Sequence, residues 1–565
     1  MPEIYPPDNR EEQHSGGAAP TQRDFSGYPG VVMQPSARER TLNVKSPRAR
    51  WLALLTELQH RSWFKPTLLG VISVFALAIF SYRVNTLSLW YDETYSVTLS
   101  NQSWAVFANT GEANMLLYEM LLHIWLRATE FIGLIPSPLI TRVLSFVSMT
   151  LATLVVMVIG ARWWKLSTGV IAGLVFILNN IIITMAQTAR AYAMEALVVS
   201  LSWWAFFYLL KNPTSKRWWV IFGSLSVLAI YTDLLGVFNL AAQIVIVCLF
   251  LLPFVSRYVD DLPAFQTSNW RTIFFSGIVT LFSIGVACIP LLLLAKLNHK
   301  GGNDWVPPAK LSDVLGFFEE QMGGHLLSAL VLIAACVLGV VFGLMRRSGL
   351  TISVMSWAFV PIIGQFLTTQ SYLNFHFFQS KYLIATIPAI SLLAAIGILM
   401  LRPSWIATCA ALLLILLMVD TPRGYYPRAE KQPMLENVGW VLQHYQAEDG
   451  IICRPAKTCG VPISYYLNDL NAGKGIPTTF PGSWDWATQT TTPTNRSALT
   501  AYLKGRQTVF VITVGPGDTD ATRVHDGIPS TLESLGYVEV HRYRLAKSGL
   551  KGDMMVDQYV KSDKS

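Results

Sequence analysis

The sequence is poor in charge: Asp, Glu, Lys and Arg make up 14% of its 565 residues, against 52% hydrophobic residues. An ordinary soluble domain carries roughly 25% charged residues. That shortfall, with a mean hydropathy of +0.40, excludes a water-soluble globular chain and indicates a polytopic membrane protein. Cysteine is scarce as well. Six are present, with no Cys-x-x-Cys pair and no His/Cys zinc spacing, which removes thiolate metal centres and dithiol redox motifs from consideration. Cys248, Cys288, Cys336 and Cys409 lie in apolar runs and read as small core hydrophobes. Cys453 and Cys459 fall in a polar region, where a disulfide and two free thiols fit equally well. No internal repeat is visible. No cleavable signal peptide is expected, because about sixty polar residues precede the first apolar run. The net charge of +8 comes from basic residues clustered in short connections, a pattern of membrane orientation and not of nucleic-acid binding.

Long apolar runs are what the chain has in abundance. Residues 1–50 are rich in Pro, Gly, Ser and charge and are expected to form a disordered cytoplasmic tail. Arg38, Arg40, Lys45, Arg48, Arg50, Arg61 and Lys65 precede the first apolar segment, Thr67 to Tyr82, which places the N-terminus in the cytoplasm. Further runs of roughly twenty residues, the length that crosses a bilayer, begin near 139, 167, 191, 217, 235, 272, 325, 350, 381 and 404. Arg162/Lys165, Lys211/Lys216/Arg217, Arg257/Arg271, Arg346/Arg347 and Arg402 fall in alternate connections, as cytoplasmic loops require. The expectation is a polytopic α-helical domain of about 11 spans over residues 65–421, with outer loops at 85–138 and 297–323. Leu116–Ile132 is apolar enough to span, but a span there would put Arg162 and Lys165 outside. It is read as a helix lying at the outer interface. Trp90, Trp163, Trp164, Trp218, Trp219 and Trp305 stand at the ends of runs, where amphipathic rings anchor. From 422 to 565 the character changes. Segments such as DGIICRP, TVFVITVG and GYVEVHRYRL alternate like strands, and QPMLENVGWVLQHY reads as an amphipathic helix, so a small exterior α/β domain is expected.

The outer face collects polar groups that the spans do not need. Asp92 and Glu93, in LSLWYDETYSV, follow directly on the first span, and acids beside hydrocarbon are costly unless they have a partner, a cation or a task. The pair has no evident capping role. Glu112 in TGEANMLLYEM, Gln187, Arg190 and Tyr192 in AQTARAYAME, Asp233 in IYTDLLG, and Lys381-Tyr382 after NFHFFQS all fall on the same side. Carboxylates gathered there can hold a divalent cation or act as a general base. Arg190 and Lys381 suit a phosphate, one through a planar fork and the other as a point charge. Plainer readings stand beside these. Glu119, Arg127 and Arg142 read as interface markers, His123 as helix packing, Arg190 as a salt-bridge partner of Glu195 or of a neighbouring helix, and Asp233 as a helix cap.

Taken in order, WYDET, E-x-x-x-L-x-Y, Q-x-A-R-x-Y, Y-T-x-x-x-G and a late Lys-Tyr resemble the C-type superfamily of integral-membrane glycosyltransferases. The similarity is greatest to its protein mannosyltransferase and aminoarabinose transferase branch, and the outer loop NDWVPPAKLSDVLGFFEEQMGG is also similar. The resemblance covers about 65–421 and implies sugar transfer from a polyprenyl-phosphate donor to a lipid, glycan or protein acceptor on the exterior face. It implies that Asp92 is the catalytic acid of the first loop, with Glu93 beside it and Glu112 as a second acid. Arg190, Tyr192, Lys381 and Tyr382 would face the donor phosphate, with Gln187 and Asp233 as further candidates. A divalent metal at Asp92 and Glu112 is a further implied cofactor. Three positions depart from the pattern: Asn114-Met115 replaces Pro-Pro, Asp233 stands where His is common, and Lys381 replaces Arg. A bacterial inner membrane is the expected location. Two alternatives remain. A lipid-linked glycan ligase or polymerase would carry a large late outer loop bearing His and Arg, whereas Gln370–Ser380 is short. A transporter or flippase would show paired inverted repeats with charges at mid-membrane.

Overall fold

A computed structural model of the chain describes residues 61–106, 113–134, 137–265, 270–297, 308–370, 377–428, 434–454, 462–467, 493–514, 528–544 and 554–562. The expected tail at 1–50, Glu112, Trp305 and Cys459 lie outside the described residues.

Each of the roughly twenty-residue apolar runs named above forms helix among the described residues. Among the described residues, eight helical segments are long and apolar enough to cross a membrane. They are α1 (Phe64–Ser81), α4 (Pro138–Trp163), α7 (Tyr192–Lys211), α10 (Trp270–Leu297), α12 (Leu326–Met345), α13 (Gly349–Thr368), the 3-10 turn Ser380–Thr386 running into α14 (Ile387–Leu399), and α15 (Ser404–Arg428). Helices α8 (Lys216–Thr232) and α9 (Gly236–Leu251) are shorter. The run beginning near 167 is not one straight span. It breaks into α5 (Leu166–Ile177) and α6 (Asn180–Ala186), which bend by 67°. Asn179 makes the break: its Oδ1 accepts the amides of Ile181 and Ile182 at 3.0 and 3.3 Å, so a new helix starts where the old one ends. Its Nδ2 donates to Gln321 Oε1 at 3.0 Å, at the end of α11 (Leu311–Gln321).

Small residues let the inner helices meet backbone to backbone, the usual contact where no water drives association. A Cβ added to Gly397 of α14 would stand 2.1 Å from the Ala335 carbonyl of α12, and one on Gly169 of α5 would stand 2.2 Å from the Met157 carbonyl of α4. Helix α14 is buried on nearly all sides, whereas α1 and α10 present rows of exposed apolar side chains such as Val74, Phe75, Phe282 and Leu293, as lipid-facing helices do. Between α1 and α4 lie α2 (Tyr91–Ser100) and the amphipathic α3 (Leu116–Phe131). The latter buries Tyr118, Leu122 and Leu126 and exposes Met120, Leu121 and Ile124.

Helix α15 continues past residue 421 to Arg428. Beyond it come α16 (Met434–His444), β1 (Gly450–Arg454), α17 (Pro493–Leu503), β2 (Thr508–Val514), α18 (Ile528–Ser534), β3 (Tyr537–Arg544) and β4 (Met554–Lys561). The sheet order is β1-β2-β4-β3, with β1 and β2 parallel and the other pairs antiparallel. Alternation along the strands makes two apolar faces. Ile452, Val509, Val511 and Tyr559 pack under α17 and α18. Ile451, Phe510, Ile512 and Val556 face the other way and join Met434, Val438 and the core of the membrane helices. Cys453 is disulfide-bonded, and Cys248, Cys288, Cys336 and Cys409 are free thiols.

Candidate active site

Of the expected site residues, Asp92, Glu93, Arg190, Lys381 and Tyr382 come together around the start of α2. Contrary to the sequence reading, Glu93 has a capping role. It is the third residue of α2, and its Oε2 accepts the Trp90 amide at 3.3 Å, closing the helix start. It does more than cap. Oε1 and Oε2 each take an Arg142 nitrogen at 2.8 Å, and Oε1 also accepts the Ala189 amide at 2.7 Å.

Arg142 is therefore not an interface marker. It is fully buried on α4 and fills all its N–H donors, giving Nε and one Nη2 hydrogen to Glu93, the other Nη2 hydrogen to the Ser88 carbonyl at 2.8 Å, and Nη1 to the Val84 and Leu87 carbonyls at 2.8 and 2.9 Å. A buried bidentate pair of this kind ties the loop after α1, the start of α2, helix α4 and the 187–191 turn into one unit. Glu119 is likewise fully buried rather than at the surface.

Asp92 emerges from this frame. Its Oδ2 stands 3.4 Å from Lys381 Nζ, with side-chain exposures of 22% and 15%, so the pair is shielded but not sealed. The ammonium also lies 5.5 Å from the Trp90 ring centroid and 5.1 Å from that of Tyr382, a cation–π setting that holds it beside the acid. Tyr192 meets Tyr382 edge to face at 6.2 Å.

Arg190 sits in the turn between α6 and α7. The expected bridge to Glu195 is absent: the two Glu195 carboxylate oxygens are buried and meet no hydrogen-bond donor among the described residues. Arg190 Nη1 instead donates to Ser96 Oγ at 2.7 Å and to the Asp92 carbonyl at 3.5 Å. Ser96 went unnoticed in the sequence, although it lies four residues after Asp92 and hence on the same face of α2.

Gln187 ties backbone together. Its Nε2 donates to the Phe80 and Tyr82 carbonyls at 3.1 and 2.8 Å, and its Oε1 accepts from the Tyr425 hydroxyl at 3.2 Å. Asp233 follows the last residue of α8, and its Oδ1 accepts the Leu235 amide at 2.9 Å within the turn, whereas α9 begins after Leu235 without a side-chain cap. Burial pushes its carboxyl up to about 6, against the pull of that amide and of the Arg190 and Lys381 charges. The departure at Asn114-Met115 forms a 3-10 turn whose Asn114 carbonyl accepts the Leu234 amide at 3.2 Å. His123 packs as expected, on the Ser100 carbonyl at 2.7 Å and against Trp104. Arg127 pairs with Glu130 at 2.6 Å on the surface.

Glu112 is outside the described residues, and no group of three His, Cys, Asp or Glu among the described residues is placed to hold an ion. The Asp92 carboxylate has an ammonium partner instead.

An acid paired with an ammonium, with a guanidinium against the same turn of helix, is an arrangement that can bind an anion and take up a proton beside it. No family model matches the sequence, and no curated protein matches it. Solved structures do match its fold. ArnT from Cupriavidus metallidurans bound to undecaprenyl phosphate is similar with a TM-score of 0.53 at 14% identity, over 86% of this chain and 97% of that one. Its apo state gives 0.54 at 13% identity, over 87% and 98%. The Archaeoglobus fulgidus oligosaccharyltransferase in complex with Zn and sulfate gives 0.50 at 11% identity, over 85% and 72%. At these identities the likeness is one of fold alone.

Proposed function

We propose that this chain is a membrane glycosyltransferase that moves a sugar from a polyprenyl-phosphate donor to an acceptor hydroxyl on the exterior face of a bacterial inner membrane. The observation that carries the reading is the 3.4 Å approach of Lys381 Nζ to Asp92, with Arg190 of the 187–191 turn held against the same turn of α2. A base and two phosphate-binding cations are the groups such a transfer needs. The undecaprenyl phosphate bound by ArnT, whose fold this chain shares, supports the same class of lipid.

In this reading the donor enters sideways from the bilayer, and its phosphate lies between Arg190 and Lys381 with Tyr192 and Tyr382 alongside. Asp92 accepts the proton of the acceptor O–H. The acceptor oxygen forms its bond to the anomeric carbon as the carbon–phosphate oxygen bond breaks, and the bonding pair leaves on the phosphate. A single displacement of this kind inverts the anomeric centre. Charge develops on the departing phosphate, so fixed cations there stabilise the transition state more than the ground state. The donor is already activated, and positioning supplies much of the rate. Glu93 supports this chemistry by holding the helix that carries Asp92. The N-terminus is cytoplasmic and the α/β domain exterior, where it borders the acceptor.

The experiment is incubation of the purified protein with a panel of polyprenyl-phosphate sugars, with and without a chelator, read as loss of lipid-linked sugar. Consumption of one donor class supports the reading. Consumption of none, with lipids and several acceptors supplied, contradicts it.

A further inference from the structure

The segment that leads into α2 is gripped from two sides. Arg142 holds the carbonyls of Val84, Leu87 and Ser88 from the membrane domain. The α/β domain holds the next atoms along. The Tyr466 hydroxyl accepts the Leu89 amide at 2.5 Å. Ser88 Oγ donates to Glu436 Oε2 at 3.0 Å and accepts the Leu435 amide at 3.3 Å. Ser88, Leu89 and Tyr466 are all buried. The grip ends one residue before Trp90, where Glu93 closes the helix start, and two residues later comes Asp92.

These contacts are not what docks the two parts of the chain. Met434, Val438, Phe510 and Val556 share an apolar core with the membrane helices, and that burial persists without any hydroxyl at 466 or 88. The polar contacts converge instead on two consecutive residues of one short segment. Their common effect is to fix where α2 begins.

We propose that Tyr466 and Glu436 of the exterior domain are positioning residues for Asp92: by holding Leu89 and Ser88 they set the start of α2 and so the place of the Asp92 carboxylate against Lys381. The proposal deepens the glycosyltransferase reading and rests on it for its catalytic consequence. An error of about 1 Å in a reacting group can cost roughly a hundredfold in rate. The exterior domain is then part of the catalytic apparatus without touching the substrate.

The test uses the full-length protein in lipid nanodiscs and two variants, Tyr466→Phe and Ser88→Ala, each measured in two ways. Amide hydrogen exchange is followed across residues 87–95, and transfer is assayed with the donor that the wild type consumes. The expected result is faster exchange confined to 87–95, with kcat lowered about tenfold or more and KM for the lipid donor little changed. Unchanged exchange in both variants overturns the grip, whatever the activity assay gives. Faster exchange with unchanged kcat overturns the positioning role. A fall in kcat accompanied by faster exchange throughout the membrane helices also overturns it, because the defect is then one of folding. Failure of the glycosyltransferase reading shows separately, as a wild type that consumes no donor while the exchange result still stands or falls.

Discussion

Glu93 and Arg142, 49 residues apart in sequence, form a fully buried bidentate pair with 2.8 Å contacts at both oxygens. The pair joins the start of α2 to α4 and, through the Ala189 amide, to the turn that carries Arg190. Asp92, the residue before Glu93 in the first turn of α2, is carried by this knot.

Removing one member of a buried pair strands the other. Arg142→Met leaves the Glu93 carboxylate buried without its cation and is expected to destabilise the protein by about 3–5 kcal/mol. Combining it with Glu93→Gln should cost less than the sum of the two single changes, because the stranded charge is gone. Unfolding in detergent micelles, read as a double-mutant cycle, checks this. Additive losses would mean that the two side chains act independently.

The two cations should matter to lipid binding before they matter to chemistry. In the proposed reading Lys381→Met and Arg190→Gln each remove a charge-assisted contact to the donor phosphate, worth about 1.5–3 kcal/mol. The expected loss of affinity for undecaprenyl phosphate is therefore roughly tenfold to a hundredfold per change. Titration of the purified variants with that lipid measures it, and a neutral lipid alcohol of the same chain should bind all of them alike.

Asp233 gives a pH signature. Burial raises its carboxyl from 3.8 to about 6, so the folded protein binds that proton more tightly than the unfolded chain does. Its contribution to stability is then complete below 3.8 and is lost as pH rises through about 6. The wild type should lose thermal stability over that window relative to Asp233→Asn, which cannot titrate. Parallel melting curves for the two proteins across the window would contradict the assignment.

Much of the fold was legible because bilayer thickness leaves few choices. The roughly twenty-residue apolar runs became helix among the described residues, and α3 formed as an amphipathic helix where Leu116–Ile132 had that composition. The break at Asn179 was readable too: two asparagines in the middle of an apolar run are a stop and a cap, yet run length alone concealed them. The ordered motifs brought Asp92, Arg190, Lys381 and Tyr382 to one place. Local sequence could not announce the partner of Arg142. A cation four residues inside a span demands an acid, but which acid depends on how α2 and α4 pack, and that is decided by contacts far apart in the chain. Ser96 was hidden for the opposite reason, since a serine on a short polar helix carries no signal until an arginine is seen beside it.

The central claim is that Asp92 takes the proton of the acceptor, and Asp92→Asn tests it most directly. The side chain keeps its size and can still accept a hydrogen bond from Lys381, but it can no longer act as a base at neutral pH. With the donor that the wild type consumes, the variant should bind lipid phosphate normally and lose transfer by roughly 10²–10⁴-fold in kcat. Full transfer activity in Asp92→Asn, with the donor confirmed, would contradict the account.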